Sequence, residues 1–197
     1  MGDDEGALQY LGAPEEVVRA TEARYADQAR TDFATYLRDT LHYNQRSGGR
    51  YNAPGEFGLL YTASDEATAW AELHARFLRE GLPGLPRTMG LLRLVLHRGQ
   101  FADFNEPRTC EAWGVDVATL TADVPTAVQQ DTCWRLGRDL RAVADFLKAP
   151  SARATGDNVP LFVRGRADAD FAFDLSSAEP HRPTPVPPRQ VSHEAWD

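Results

Sequence analysis

The chain has 197 residues, enough for one domain with a sizeable core, and its 42% hydrophobic and 25% charged residues are an ordinary globular balance. A net charge of −8 and a pI near 5.1 argue against a nucleic-acid binder, which needs a basic surplus to meet phosphates. A small anionic ligand stays open, provided a local arginine or a row of backbone amides receives it.

Residues 1–13 are acidic and read as a loose arm. They contain no basic stretch followed by an apolar one, and Gly6 stands where a myristoylation signal needs Ser or Thr. No apolar run approaches the roughly 18 residues needed to span a bilayer. The expectation is a soluble, cytoplasmic protein with no membrane contact. Cys110 and Cys133 have no metal-ligand spacing and read as two free thiols in a reducing compartment.

Pro14 followed by Glu15 and Glu16 suits the first turn of a helix. Val17, Val18, Ala20, Tyr25, Phe33, Tyr36, Leu37 and Leu41 continue an apolar helical pattern to about Tyr43. The stretch Arg30-Thr31-Asp32 divides it, with Thr31 or Asp32 as a new N-cap. Ser47-Gly48-Gly49 ends this region, and Ala53-Pro54-Gly55 is a turn. Phe57 to Ala63 reads as a strand. Ser64 is a candidate N-cap for a helix reaching about Glu80 and stopped by Gly81.

Met89 to His97 is a second strand, nearly continuous in leucine and valine. Gln100 to Pro125 is irregular, and Thr126 to about Ala142 is a further helix. Phe146–Lys148, Val159–Val163 and Phe171–Leu175 are short strands. Residues 179–197 hold Pro180, Pro183, Pro185, Pro187 and Pro188, which rule out regular structure for most of that tail. Strands and helices without a strict βαβ rhythm indicate an α+β domain.

Neither nucleotide fingerprint, GxGxxG or GxxxxGK[ST], is present. There is no HExxH and no GxSxG, and the five histidines do not cluster in sequence. No metal site and no esterase triad is indicated. The stretch from Ser47 to Glu72 is the candidate site. Gly48 and Gly49 let the backbone approach something closely, and Arg50 delivers a planar fork of donors suited to phosphate. Tyr61 offers a ring for stacking on an aromatic ligand. Glu72 borders the apolar face of its helix, where a half-buried carboxylate suits a sugar hydroxyl and a developing positive charge. Taken singly, these residues read as a turn, a surface arginine, a core tyrosine and a solvated glutamate; only their combination points to a site.

That combination resembles the signature of the RES domain family. Gly48, Gly49, Arg50, Tyr51, Asn52, Pro54, Gly55, Tyr61, Thr68, Ala69 and Glu72 follow its first motif in order. A later element is similar too: Phe146 to Ala149, then Pro150-Ser151-Ala152-Arg153, Asn158 and Leu161-Phe162-Val163. The resemblance covers residues 44–175. Family members often open with a Tyr/Trp-Arg strand before the glycines; here residues 14–43 read instead as a helical extension of a single domain over 14–178.

The resemblance implies a fold of the diphtheria-toxin ADP-ribosyltransferase type. It implies a bacterial toxin that depletes NAD by hydrolysis or phosphorolysis, paired with an Xre-type helix-turn-helix antitoxin, with NAD as substrate and no prosthetic group. A homo-oligomer is compatible with it. On this reading Arg50 binds the pyrophosphate or the nicotinamide-side ribose, Tyr61 stacks on nicotinamide, and Glu72 binds a ribose hydroxyl. Ser151 bonds ribose or phosphate with Asn158 in support. Gly49, Tyr51 and Asn52 complete the rim, and Arg153 is a second phosphate contact. A protein ADP-ribosyltransferase, a nucleotide binder without turnover and an interaction module built on the acidic surface and proline-rich tail are the competing readings.

Overall fold

The computed structural model describes residues 8–82, 88–163 and 173–181. It is an α+β arrangement of two sheets with helices packed on their faces.

The first sheet has three antiparallel strands in the order β2-β3-β7: β2 (Glu15–Glu22), β3 (Met89–Leu96) and β7 (Phe173–His181). The second has the order β1-β4-β5-β6: β1 (Gln9–Tyr10), β4 (Gln100–Asp103), β5 (Phe146–Pro150) and β6 (Asp157–Asn158). Among the described residues, only β4 and β5 run parallel. Helices α1 (Ala23–Thr31) and α2 (Phe33–Ser47) cover the first sheet through Ala26, Ala29, Tyr36 and Leu37. Helix α3 (Glu66–Arg79) packs Trp70 and Phe77 against Val18, Met89 and Leu91. Helices α4 (Pro107–Ala112), α5 (Val117–Thr121) and α6 (Ala127–Val143) close a second core over β4 and β5, around Phe104, Leu136, Leu140 and Leu147.

Several expectations are corrected. Residues 15–22 form strand β2, not the first turns of a helix. Val17, Val18 and Thr21 favour extended backbone, and β2 pairs with β3 in an unbroken register from Glu15 opposite Leu96 to Glu22 opposite Met89. Helix starts only at Ala23, and the division falls where expected: Asp32 caps α2 by accepting from the Thr35 N–H. The arm is not loose throughout, since Gln9 and Tyr10 pair with Phe101 and Gln100 at the sheet edge. Residues 1–7 lie outside the described set, as do 171–172 and the tail from 182. The strand expected over 171–175 runs on as β7 to His181, past the start assigned to the tail.

Phe57 to Ala63 is not a continuous strand but touches its neighbours at two bridge residues, Leu60 and Ala63. Side chains take the carbonyls that a ladder would use: Asn44 Nδ2 donates to Leu59 and an Arg19 guanidinium N–H to Tyr61. Ser64 is tied to β6 instead of capping α3, and Asp65 is the cap, accepting from the Thr68 N–H. Thr126 caps α6 in a reciprocal box with Gln129.

Two stability predictions follow from these contacts. Thr126→Ala should lower the unfolding free energy by about 1 kcal/mol in denaturant melts. Gly137→Ala should cost more, about 1–3 kcal/mol, because a Cβ at Gly137 meets the Tyr51 carbonyl oxygen inside contact distance. Equal midpoints for these two variants would contradict this ranking.

Candidate active site

The region after α2 is shaped by a close approach. A Cβ on Gly49 would sit 2.5 Å from the Tyr61 hydroxyl, so glycine there lets the tyrosine ring lie against the main chain. The Gly49 carbonyl accepts from Trp134 Nε1 at 2.9 Å, and Gln130 Nε2 donates to the Arg50 carbonyl at 3.0 Å. Helix α6 thus fixes the backbone that carries Arg50.

Arg50 spends one N–H of each terminal nitrogen on a carbonyl, Leu120 at 2.8 Å and Ala122 at 2.6 Å. A second arginine, Arg19 on β2, was not foreseen as a site residue. Its Nε donates to the Tyr36 hydroxyl at 2.8 Å and its Nη1 to the Tyr61 carbonyl at 2.6 Å. A strand carrying an arginine before the glycines is therefore present after all. Both arginines line one cavity of about 550 Å³, with the Tyr61 side chain and Glu72 in the same wall. Neither has a carboxylate partner among the described residues. Carbonyl and phenol oxygens orient a guanidinium without cancelling its charge, so this cavity in an acidic protein carries local positive charge.

The polar end of Tyr61 is fully committed. Its hydroxyl donates to Asn52 Oδ1 at 2.7 Å and accepts from the Tyr51 N–H at 3.0 Å. Burial raises its pKa, so it stays a neutral phenol whose ring is left for the cavity.

Asn52 is not at the rim. It is fully buried, and its Nδ2 donates to the carbonyls of Asn44 and Phe57, both at 2.8 Å. It braces the turn and holds Tyr61. Tyr51 does line the cavity but is nearly all buried, grouped with Cys133 and Leu136; its hydroxyl has no hydrogen-bond partner, and burial raises its pKa.

Glu72 lies in the middle of α3, half-buried. Its Oε1 accepts from Ser151 Oγ at 2.6 Å and from Asn158 Nδ2 at 3.1 Å. Its Oε2 faces Arg153 Nε at 3.7 Å, close enough for an ion pair and too far for a hydrogen bond. Ser151 is fully buried and also accepts from the Arg153 and Ala154 N–H groups, which places it behind Glu72 and away from the cavity wall. Arg153 is also behind the wall, with its terminal nitrogens on Asp123. Burial lowers its pKa and Glu72 opposes that shift; the guanidinium remains a cation. The four residues form one unit that fixes the glutamate side chain at the cavity. Asn158 alone of the three supporters reaches the wall.

Most of the sequence-derived residues therefore converge, in two layers. Gly49, Arg50, Tyr61, Glu72 and Asn158 face the cavity, while Asn52, Ser151 and Arg153 hold them from behind. Arg19 and Asp123 are the additions. The signal for Arg19 was the β-branched run around it, obscured by the preceding glutamates. Among the described residues no group of His, Cys, Asp and Glu is arranged to hold a metal ion, and no helix is long and apolar enough to cross a membrane.

A probable NAD(+) phosphorylase of Mycobacterium tuberculosis is 34% identical over 139 residues, a stretch covering 70% of this chain and 60% of that protein. This chain therefore spans less than two thirds of that relative's length. A chain of the crystal structure of the M. tuberculosis MbcT–MbcA toxin–antitoxin complex superimposes with a TM-score of 0.68 at 16% identity, over 91% of this chain and 90% of that one, which shows a shared fold. The RES domain profile matches residues 17–183, and the chain belongs to the RES domain family.

Proposed function

We propose that this protein cleaves NAD at the nicotinamide–ribose bond, by hydrolysis or phosphorolysis, and acts as the toxin of a toxin–antitoxin pair. The observation that carries the reading is one cavity holding a braced carboxylate, a tyrosine ring and two arginines anchored by neutral oxygens. The 34% identity to a probable NAD(+) phosphorylase supports the substrate. The fold shared with a chain of a toxin–antitoxin complex supports an antitoxin partner; that this partner is of the Xre helix-turn-helix type and that the core is of the ADP-ribosyltransferase type rest on the family resemblance.

Breaking the bond leaves an oxocarbenium-like ribose. Nicotinamide departs by taking the bonding electron pair onto its cationic ring nitrogen, so it needs no general acid. The protein's work is to hold the dinucleotide and to stabilise positive charge on the sugar. Arg50 and Arg19 meet the pyrophosphate. The Tyr61 ring stacks on nicotinamide. Glu72 Oε2 binds a ribose hydroxyl and faces the growing charge, while Ser151 and Asn158 keep Oε1 in place.

Purified protein should consume NAD and release nicotinamide, followed by chromatography. Glu72→Gln and Arg50→Ala should each slow this roughly 10²-fold or more. Wild-type rates in both variants would remove these residues from the reaction. Tyr61→Phe separates ring from hydroxyl: it should keep most of kcat and lower thermal stability, because Asn52 and the Tyr51 N–H lose their partner. Tyr61→Ala should lose activity as well. A Tyr61→Phe variant that melts like wild type but no longer turns over would mean that the hydroxyl touches substrate.

A further inference from the structure

Helix α6 turns one stripe of side chains toward the segment that carries Arg50. Gln130, Trp134 and Gly137 stand at steps of four and three residues, so they share a face. Gln130 Nε2 donates to the Gly49 carbonyl at 3.4 Å and to the Arg50 carbonyl at 3.0 Å, and Trp134 Nε1 donates to the Gly49 carbonyl at 2.9 Å. At Gly137 there is no room for a Cβ beside the Tyr51 carbonyl. The stripe is thereby fixed along residues 49–51.

Two groups on this stripe are left open. The Trp134 ring is partly buried, lines the cavity and has no aromatic partner among the described residues. An indole N–H lies in the ring plane, so its bond to Gly49 occupies neither face. Gln130 lines the cavity too, and its amide is held through Nε2 alone; no donor among the described residues reaches Oε1. The roles assigned above to Arg50, Tyr61 and Glu72 use neither group. Val124 and Pro125, just before α6, add apolar surface to the same cavity, with Val124 84% exposed. A flat π surface and an oriented acceptor thus stand one helical turn apart. A fused heterocycle bearing an exocyclic amine matches that pair: its ring stacks, and its amine N–H donates.

The place in the cavity suits the far base of a dinucleotide. The Tyr61 ring, assigned to nicotinamide, meets Gly49 on its Cα side, Trp134 meets it at its carbonyl, and Arg50 follows in the chain. A dinucleotide folded about a pyrophosphate on Arg50 lays one base on each ring.

We propose that Gln130 and Trp134 form an adenine subsite, with Trp134 stacking on the base and Gln130 Oε1 accepting from its exocyclic amine, and that the protein thereby selects an adenine dinucleotide over a mononucleotide. The inference rests on the NAD-cleaving reading above.

The test compares NAD with nicotinamide mononucleotide, which has the same scissile bond and no adenosine half, as substrates of the full chain. ADP and inosine diphosphate, in which a carbonyl replaces the amine, are titrated by calorimetry as probes without a nicotinamide bond to cleave. Wild type should show a kcat/KM for NAD at least roughly tenfold above that for the mononucleotide. Trp134→Ala should raise KM for NAD roughly tenfold and change the mononucleotide far less. Trp134→Phe, which keeps a ring and drops the bond to Gly49, should recover most of that loss. Wild type should bind ADP roughly tenfold more tightly than inosine diphosphate, whose carbonyl sets acceptor against acceptor, and Gln130→Leu should bring the two to parity. The ratio is the readout, because losing the bonds to the Gly49 and Arg50 carbonyls weakens both ligands alike. Equal kcat/KM for NAD and the mononucleotide in wild type would overturn the proposal and leave the NAD reading standing. Equal losses on both substrates in Trp134→Ala and Trp134→Phe would overturn it too, since Trp134 then only holds Gly49. Equal affinities for ADP and inosine diphosphate in wild type would remove adenine recognition by Gln130 and with it the subsite as stated. If neither substrate is cleaved, the NAD reading fails, and the ADP titrations of the Trp134 and Gln130 variants decide the subsite by themselves.

Discussion

Ala63 is bonded to Val18 through both its N–H and its carbonyl, each at 2.8 Å, and it bridges Asn158 on its other side. This one residue stitches the three-stranded sheet to the four-stranded one. Four elements of the cavity wall meet around it. β2 delivers Arg19, the segment leading to Ala63 delivers Tyr61, β6 delivers Asn158, and α3, which starts three residues later, delivers Glu72. A second tie, from Lys148 Nζ on β5 to Glu15 on β2 at 2.6 Å, holds the same two sheets near the other end of β2.

The cavity gives an acidic protein a local site of positive charge. The arginines nearest its floor are anchored by carbonyls and a tyrosine hydroxyl, which fix direction and leave charge uncompensated. Those carbonyls come from the bridge segment before Ala63 and from the C-terminal end of α5, Leu120 and the following Ala122, where helical carbonyls run out of partners. A regular strand or a longer helix would have spent them. The unspent carbonyls of these two segments are therefore what makes the local field available.

Much of this was legible from the residues. The periodic apolar faces of α3 and α6, the stop at Gly81 and the leucine-rich β3 all follow from local pattern. Pairing Arg50, Tyr61 and Glu72 with Ser151 and Asn158 rested on the family resemblance, and the structure brings them to one place. The strand β2 was not legible because proline and two glutamates imitate a helix start, while Val17, Val18 and Ala20 are apolar without strict alternation; Arg19 went unseen with it. The roles of Asn52 and Ser151 depend on partners supplied by distant segments. A polar side chain beside a signature glycine looks the same in sequence whether it faces a ligand or a carbonyl. Ser64 and Asp65 are both good caps, and the long-range bonds of Ser64 to Asp157 decided between them.

The interlock around Tyr61 has a consequence for how such a protein can change over generations. Gly49 gives the ring its space, Asn52 takes the hydroxyl proton, and the Asn52 amide in turn secures the end of α2 through Asn44. No member can be exchanged alone without leaving a clash or an orphaned polar group. Drift in this lineage should leave the knot intact, or replace several of its members together, while the surrounding surface varies freely.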